Sequence, residues 1–462
     1  MPRSTPRTPN TLLREAIAES GLTYAALARA VRAVAAAAGD TGVRTNASAI
    51  AHWVAGTQPE PDTARYVTEA LAQRTGRRLT AAGLGLAVLQ DAGADPAGLG
   101  LSLGPVPVET IAAMGRADIE RRRFLTTAVY SVAAAALPLG AAGEHQARAE
   151  AVRTGATAGQ AEIDAVRSMT AAFTEIDERY GGQHGRSAVL QYLTTDVTDL
   201  CRASFRTPGQ RAQMLTAAAG LAYLAGWKAF DAGEQGLAQR WYLQSYALTR
   251  EADDGPHQGF ALRILAHHGM DTGHQEHTVD LADAALAQVR GRVPAPTESL
   301  FVVCKARALS GAGSSRQALA VAGRARALAE SGAGTAGWDA MWGAAAAAVD
   351  SHTAAILTRL GDHAGAETHW ASAARHYRGT EHQRIAALST AAEGRAQCAQ
   401  GHVERACATW GRALDGMTGI RSTRTRQAVI TLRADLARLR RRGARSAQAL
   451  DDRARVWLHE TA

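Results

Sequence analysis

Apolar positions recur at helical spacing along most of the chain, and no stretch shows the strict alternation of a half-buried strand. Alanine and leucine are abundant and aromatic residues make up only 5% of the chain, a composition that favours helices over a β-sandwich or barrel. Glycine and proline interrupt the helical pattern near 80–110 and near 138–160. We therefore expect an all-α protein with an N-terminal domain at 10–78, a linker at 79–160 and a helical domain at 161–462.

The N-terminal domain divides into four short helices. Asn10 is the predicted N-cap of the first helix, and Thr23 is the predicted cap of the second, which continues to a glycine-containing turn at 39–42. The third helix is predicted at 46–54, and the fourth runs through Gln73. Four short amphipathic helices in succession indicate a small bundle with a core of its own.

The third of these helices combines a large apolar anchor with short polar side chains. Ile50, Trp53 and Val54 fall at i, i+3 and i+4 and predict a buried face. Small and polar side chains on the opposite face suit a helix whose backbone lies close to base edges in the major groove of DNA. The residues predicted to approach bases are Arg44, Thr45, Asn46, Ser48 and His52. A plain helical bundle with Trp53 in its core is the alternative.

The start of the second helix supplies a further set of candidate DNA contacts. Backbone N–H groups at a capped helix start can bind a phosphate, and nearby polar and basic side chains can add to that contact. The residues predicted to approach phosphate are Thr23, Tyr24 and Arg29.

Two segments of this domain resemble a known family. GLTYAALARAV at 21–31 and SAIAHWVAGTQPEP at 48–61 resemble the helix-turn-helix of the lambda-repressor/Cro-like, or Xre, class. The whole chain is similar to actinobacterial Xre-type regulators with a tetratricopeptide-like C-terminal region, and this similarity continues through 121–139, 173–193 and 223–248. The resemblance implies a sequence-specific transcriptional regulator, more often a repressor than an activator.

The connection between the second and third helices departs from that class. The turn of a helix-turn-helix usually has about four residues, whereas a longer segment precedes Asn46 here. The resemblance therefore does not settle which residue meets which base. Replacing Asn46 and Ser48 together by alanine is expected to weaken sequence-specific binding and leave the fold intact. Because one recognition helix reads only a short half-site, we expect a homodimer on double-stranded DNA.

Regularly spaced glycines predict a repeat in the C-terminal domain. Steps of 40, 40, 48, 40 and 42 residues separate Gly233, Gly273, Gly313, Gly361, Gly401 and Gly443. Small residues stand five and twelve positions after each of the first five glycines, whereas Gln448 and Arg455 occupy those positions after the last. Close packing of paired helices requires such small residues, so we predict a tetratricopeptide-like solenoid of helical hairpins. Its surface is expected to bind an unidentified peptide, small-molecule or protein effector.

Two features of the chain keep alternatives open. Tyr223, Trp227 and Tyr242 either pack between helices or form a ligand-facing aromatic surface. The segment 420–455 holds eleven arginines and three aspartates, and is either a solvated helix or a surface for the DNA backbone or an acidic partner. The net charge of +8 for the whole chain favours an acidic partner, nucleic acid first.

Enzyme and metal-site motifs are missing from the sequence. The four cysteines form no Cys-x-x-Cys pair, and the histidines at 267–277 do not follow a known metal spacing. GAGSS at 311–315 lacks the lysine of a phosphate-binding loop. We therefore expect no enzymatic activity, no cofactor and no bound metal.

The expected location is the cytoplasm, because the cysteines form no disulfide framework and the N-terminus has no secretory signal. An arginine cluster and an apolar run at 121–140 are interpreted as a docking helix near 121–137, with membrane association as the alternative. The alternative function for the whole chain is a helical-repeat scaffold that does not bind DNA sequence-specifically.

Overall fold

The structure is a computed structural model in which the described residues are 9–37, 40, 42–75, 79, 81–86, 100–101, 103, 106–125, 157–275, 277–332, 334–338, 342–380, 382–441 and 444–461. These residues are all-α, as the sequence predicts, and their one β-type pairing is an isolated bridge between Ala158 and Phe205. They divide into two compact units: the first contains the described residues up to Leu86 together with Glu234–Leu237, and the second is made of Gly100–Gly233 and Ala238–Ala462.

The first unit consists of four α-helices and a 3-10 turn. Their bounds are α1 Thr11–Ser20, α2 Tyr24–Ala37, α3 Ala47–Val54, α4 Pro61–Thr75 and the 3-10 turn Ala82–Leu84. Both predicted caps are confirmed: Asn10 Oδ1 accepts a hydrogen bond from the backbone N of Leu13 at 2.9 Å, and Thr23 Oγ1 accepts one from Ala26 N at 3.2 Å. Helices α1 and α2 therefore begin where side-chain acceptors satisfy their first N–H groups.

The apolar faces of these helices meet in a single core. Its fully buried members are Leu13, Leu27, Val31, Ile50, Val67 and Leu71. The core extends past the predicted boundary at residue 78, because Leu84 and Leu86 are also buried in it. Asn10 Nδ2 holds this last segment in place by donating to the carbonyl oxygen of Leu84 at 2.9 Å.

The segment predicted as a linker at 79–160 is folded in part. It contains α5, Pro107–Leu125, which packs in the second unit through the buried side chains of Val108, Ile111, Ala112 and Met114. Asp118 accepts a hydrogen bond from Arg186 Nη2 at 2.9 Å, and both side chains are buried. The docking helix predicted near 121–137 extends outside the described residues. Within the described part of the chain, none of the helices has the length and apolarity needed to cross a membrane.

The second unit continues as a series of antiparallel helices. Before the hairpins come α6 Gln160–Tyr180, α7 Arg186–Tyr192, a π turn Leu193–Val197 and α8 Thr198–Arg202. The hairpins are α9 Pro208–Asp231 with α10 Gln235–Glu251, α11 Gly255–Thr272 with α12 Thr278–Val289, α13 Ala295–Gly311 with α14 Ser315–Glu330, α15 Ala345–Leu360 with α16 His363–Tyr377, α17 Gln383–Ala399 with α18 Val403–Gly416, and α19 Thr423–Arg441 with α20 Arg445–Glu460. Helices α11, α13 and α15 also contact one another in succession, as the first helices of stacked hairpins do.

The repeat predicted from the glycines is confirmed. Gly233, Gly273, Gly313, Gly361 and Gly401 each lie between the two helices of a hairpin with φ between 80° and 85°, while Gly443 lies outside the described residues. The small residues five and twelve positions later are all at most 1% exposed: Ala238, Thr278, Ala318, Ala366, Ala406, Ser245, Ala285, Ala325, Ala373 and Ala413. They lie on the second helix of each hairpin and allow the close packing that the sequence predicts.

The last hairpin keeps the same packing with a shift of one residue. Gln448 and Arg455, which occupy the predicted positions, are exposed. Ala447 and Ala454, one position earlier, are fully buried and belong to the core of this hairpin. The small residues of the repeat are therefore retained in the last hairpin, one position earlier than the glycine spacing predicts.

Buried charges join the beginning of the second unit to its later hairpins. Arg384 on α17 is fully buried, and its Nη2 donates to Asp177 Oδ2 at 2.7 Å and to Glu178 Oε1 at 2.8 Å on α6. Lys228 Nζ on α9 donates to Asp177 Oδ1 at 3.0 Å. Burial alone would raise the pKa of Asp177, but the charges of Lys228 and Arg384 hold it below its usual value. These side chains connect α6, α9 and α17.

Candidate nucleic-acid interface

Helix α3 has one face buried in the core of the first unit. Ile50 is fully buried, and Trp53 and Val54 are 8% and 5% exposed, as their i, i+3, i+4 spacing predicts. The backbone N of Asn10 donates to the carbonyl oxygen of Val54 at 2.9 Å, which also ties the end of α3 to the start of α1. Helix α3 packs on both α1 and α2. These contacts fix the rotation of α3 about its axis and therefore determine which side chains face outward.

The outward face of α3 is made of short side chains in two rows. Ser48 and His52 are exposed and stand at i and i+4, so they are neighbours on the helix surface. Ala47 and Ala51 form a second exposed row beside them. Methyl side chains leave the helix backbone accessible and can contact a thymine methyl group. Ala47 and Ala51 were not among the predicted base contacts, although the spacing that selects Ser48 and His52 selects them as well.

The start of α3 is formed by Asn46, which is exposed. Its backbone is extended, with φ −133° and ψ 175°, and its Oδ1 accepts a hydrogen bond from Ala49 N at 2.9 Å. The side-chain oxygen therefore caps α3, and the Nδ2 group is the donor that this side chain can offer to a base. Alanine at this position would remove the cap, so the predicted alanine pair at Asn46 and Ser48 would weaken the fold as well as a contact.

Thr45 does not belong to the outward surface. Thr45 is only 6% exposed, and its carbonyl oxygen accepts a hydrogen bond from Arg32 Nη1 on α2. A side chain that is buried in this way cannot reach a base edge, so we correct the predicted set by removing Thr45. Arg32 instead positions the segment that leads into α3. The sequence alone could not show that Arg32, and not Arg29, makes this hydrogen bond. The contact with Thr45 depends on the path that the chain takes between α2 and α3.

The residues predicted to approach phosphate differ in their surroundings. Thr23 is exposed but uses its hydroxyl oxygen as the cap of α2. Tyr24 is half-buried, because its ring packs against the core of the first unit. Arg29 is exposed and has no ion-pair partner among the described residues. Of the three, Arg29 is therefore the side chain best placed to meet a phosphate.

The charge around α2 and α3 is positive. Arg44, which immediately precedes the buried Thr45, is exposed. Neither α2 nor α3 contains an acidic residue, whereas residues 10–78 as a whole hold eight arginines and six acidic residues. Asp40 lies in the segment between the two helices, so the net positive charge comes from Arg29, Arg32 and Arg44. This net charge favours the approach of a polyanion.

Two of the three aromatic residues predicted as a ligand or partner surface, Tyr223 and Tyr242, are interior packing. Tyr223 and Tyr242 are 3% and 1% exposed, and their rings stack with centroids 5.9 Å apart. Trp227 is half-buried, with the guanidinium groups of Arg384 and Arg424 lying 5.6 and 5.2 Å from its ring centroid. Burial raises the pKa of both tyrosines, so their hydroxyl groups stay neutral. The inter-helix alternative given above is therefore the correct one for Tyr223 and Tyr242.

The histidines near the α11–α12 turn make polar and aromatic contacts within the fold. His267 Nδ1 lies 3.1 Å from Asp271 Oδ2, and Arg307 Nη2 donates to Asp271 Oδ1 at 2.5 Å. His268 is buried against Phe230 and other rings, and burial lowers its pKa to about 4. In the part of the chain that the structure describes, no three histidine, cysteine or acidic side chains are grouped as metal ligands.

A model of a known protein family matches the first unit. Residues 13–87 match the family model described as the SP15 N-terminal domain. The match begins at Leu13, the first buried residue of the core of this unit, and ends one residue after Leu86, the last. No curated protein matches the chain.

Proposed function

We propose that the protein is a sequence-specific DNA-binding transcriptional regulator in which α3 enters the major groove. The observation that carries the proposal is the fixed rotation of α3. Its apolar side is locked into the core by Ile50 and Trp53, and its outward side offers Ser48, His52 and two alanines. A groove-binding helix needs this combination of a rigid anchor and a face of short polar side chains.

Each exposed residue around α3 has a distinct role in this proposal. Asn46 Nδ2 donates to a purine N7 or to a base carbonyl, because its Oδ1 caps the helix. Ser48 and His52 form hydrogen bonds to base edges, and Ala51 contacts a thymine methyl group. Arg44 binds a base or an adjacent phosphate, and the start of α2 together with Arg29 binds the backbone.

The proposal assigns regulation to the second unit. One α3 reads only a short half-site, so the DNA-binding species is a homodimer on double-stranded DNA. The stacked hairpins bind an effector that changes the affinity for DNA, as in the tetratricopeptide-like Xre regulators that the chain resembles, and the same resemblance favours repression. This activity takes place in the cytoplasm.

Phosphate binding by Arg29 predicts a change in salt dependence. Arg29→Gln removes one cation from the interface and is expected to lower the slope of log affinity against log salt by about 1, with little change in sequence preference. Arg14→Gln on α1 is the matched control, since Arg14 is also exposed but lies outside α2 and α3. The measurement is fluorescence anisotropy over a series of salt concentrations. Equal slopes for the two variants would remove Arg29 from the interface.

Selection of DNA by the full-length chain tests the proposed function itself. The protein is incubated with a pool of randomised duplexes at about 150 mM salt, and bound DNA is recovered and sequenced over several rounds. The expected result is enrichment of one motif, arranged as two related half-sites. A pool that stays random after repeated rounds would contradict the proposal, and the helical-repeat scaffold would then be the better account.

A further inference from the structure

The hairpin of α19 and α20 carries far more positive than negative charge. The two helices together contain nine arginines and four acidic residues. Three of those acidic residues, Asp435, Asp451 and Asp452, already pair with arginines of the same hairpin. Solubility needs charge of either sign, and both signs are usually interspersed on a protein surface. Solubility therefore does not account for this excess of one sign.

Three of the arginines form a row on the side of α19 that faces α20. Arg426, Arg433 and Arg440 are spaced by seven residues, or about two helical turns, so the row is about 21 Å long. Arg426 Nη1 donates to the carbonyl oxygen of Leu458 on α20 at 3.0 Å. Arg433 and Arg440 share the carboxylate of Asp451, at 2.7 and 2.5 Å. Their side chains are 35% and 40% exposed, so the row also faces solvent.

Two further arginines stand beside the end of this row. Arg441 is the last residue of α19 and Arg445 is the first residue of α20. Both are exposed, and neither forms an ion pair within the described part of the chain. The backbone N of Ala444 donates to the carbonyl oxygen of Leu439 at 3.3 Å, which brings the start of α20 back to the end of α19. We name the following residues the arginine surface: Arg426, Arg433, Arg440, Arg441 and Arg445.

Helix stability accounts for one part of this surface and not for another. Arginines in the last turn of α19 interact favourably with the negative end of the helix dipole. Arg445 has the opposite position, at the positive end of α20, where a cation is unfavourable. The first turn of α20 contains no acidic residue that would offset this cost. An unpaired cation that destabilises its own helix indicates an external anion, whose charge would offset the cost.

We propose that the arginine surface binds the phosphate backbone of double-stranded DNA without reading its sequence. Duplex DNA carries one negative charge about every 1.7 Å along its axis, so it can meet a row of cations at several points. Guanidinium groups also match phosphate oxygens in a bidentate geometry. The choice of DNA over an acidic protein rests on the proposed function, which already brings this chain to DNA. The second unit thereby adds sequence-independent affinity to the base contacts of α3.

Neutralising the two unpaired arginines in the full-length chain tests the proposal. Arg441→Gln with Arg445→Gln, the glutamine pair, leaves every described carboxylate with its partner, so the fold should be retained. The control pair is Arg316→Gln with Arg324→Gln. It removes the same charge from two exposed arginines of α14 that also form no ion pair among the described residues. Any effect of net charge alone should therefore be equal in the two pairs.

The measurement is fluorescence anisotropy with a labelled duplex of scrambled sequence over a series of salt concentrations. Loss of two phosphate contacts should lower the slope of log affinity against log salt by about 2 in the glutamine pair. The control pair should keep the slope of the unmodified chain. Arg441→Lys with Arg445→Lys retains both charges and should keep that slope as well. Equal slopes for the glutamine pair and the control pair would overturn the proposal.

A second probe separates DNA from an acidic protein partner. Labelled poly-glutamate with the same number of charges should bind the unmodified chain more weakly than the duplex does. Poly-glutamate that binds as tightly as the duplex, and loses affinity in the glutamine pair, would show that the surface fits an acidic protein and that DNA is the wrong partner. The scrambled duplex contains no selected motif, so failure of this proposal leaves sequence reading by α3 unaffected. Failure to select a motif from random duplexes would likewise leave these slopes unchanged.

Discussion

Asn46 has two roles that a single substitution can confuse. Its Oδ1 caps α3 through Ala49 N, while its exposed Nδ2 is the group we assign to a base. Because the cap sets the start of α3, any loss of DNA binding on replacing Asn46 combines a lost contact with a less stable helix. A replacement side chain that caps α3 but has no amide donor separates the lost base contact from the lost helix stability.

A series at position 46 therefore tests the base contact. Asn46→Ser keeps a capping oxygen, so the free energy of unfolding should change by less than about 0.5 kcal/mol, whereas Asn46→Ala should lose about 1 kcal/mol. Both variants lack the amide donor and should bind a selected duplex about tenfold more weakly. Denaturant unfolding and anisotropy provide the two measurements. A serine variant that binds like the unmodified chain would limit Asn46 to capping.

Caps and buried faces could be predicted from the sequence because they depend on residues a few positions apart. Asn10, Thr23 and the Ile50, Trp53 and Val54 face are observed as predicted. The burial of Thr45 could not be predicted in this way, since it depends on the segment before α3 returning to Arg32. The burial of Tyr223 and Tyr242 also depends on distant residues. Their spacing along a helix does not indicate whether a second helix packs over them.

At the scale of helices, the glycine turns set the repeat of the second unit. Gly361 adopts φ +80° between α15 and α16, a conformation that side chains disfavour even though no atom lies within 4 Å of an added Cβ. Glycine is therefore required at position 361 by the backbone conformation, since a larger side chain would meet no neighbouring atom. The regular steps between such glycines were detectable in the sequence for this reason, whereas the longer connection between α14 and α15 appeared only as one longer step.

Two alanine substitutions should change stability in opposite directions. Gly361→Ala forces a side chain into the left-handed region and should lower the free energy of unfolding by about 1 kcal/mol. Gly323→Ala is the matched control, because Gly323 is exposed within α14 and also has nothing within 4 Å of an added Cβ. There alanine should raise stability by about 0.5–1 kcal/mol. Thermal unfolding that changes in the same direction for both variants would refute this account of the turns.

At the scale of the second unit, buried charges connect residues that are far apart in sequence. Arg384 and Asp177 are 207 positions apart, and no local pattern pairs them. Arg384 and Asp177 come together only when the hairpins stack. The sequence therefore predicted the repeat but not this buried ion pair. A buried pair of this kind adds little when intact but is costly to break, because the remaining charge is left without its partner.

Removing Arg384 should therefore destabilise the protein in a pH-dependent way. Arg384→Met should lower the free energy of unfolding by about 3–5 kcal/mol at neutral pH. The depressed pKa of Asp177 contributes stability above the unfolded value of about 3.9, and this contribution is lost as the pH falls through the lower folded value. The difference between the unmodified chain and the variant should accordingly shrink below about pH 4.

An exposed ion pair provides the control for that experiment. Arg395 pairs with Asp435 at 3.3 Å, and its side chain is 52% exposed. Arg395→Met should lose less than about 1 kcal/mol, because solvent screens this pair. Equal losses for Arg384→Met and Arg395→Met, measured by denaturant unfolding across pH, would mean that the buried charges do not hold α6 to α17.

The ratio of affinities for a selected and a scrambled duplex tests the central claim, that α3 reads DNA sequence, most directly. Competition anisotropy on the full-length chain at about 150 mM salt should give a ratio of at least about 10³. Ser48→Ala with His52→Ala should reduce this ratio at least about tenfold, whereas Gln73→Ala, an exposed change on α4, should leave it unchanged. A ratio near one, or a ratio that the α3 substitutions do not alter, would contradict the account.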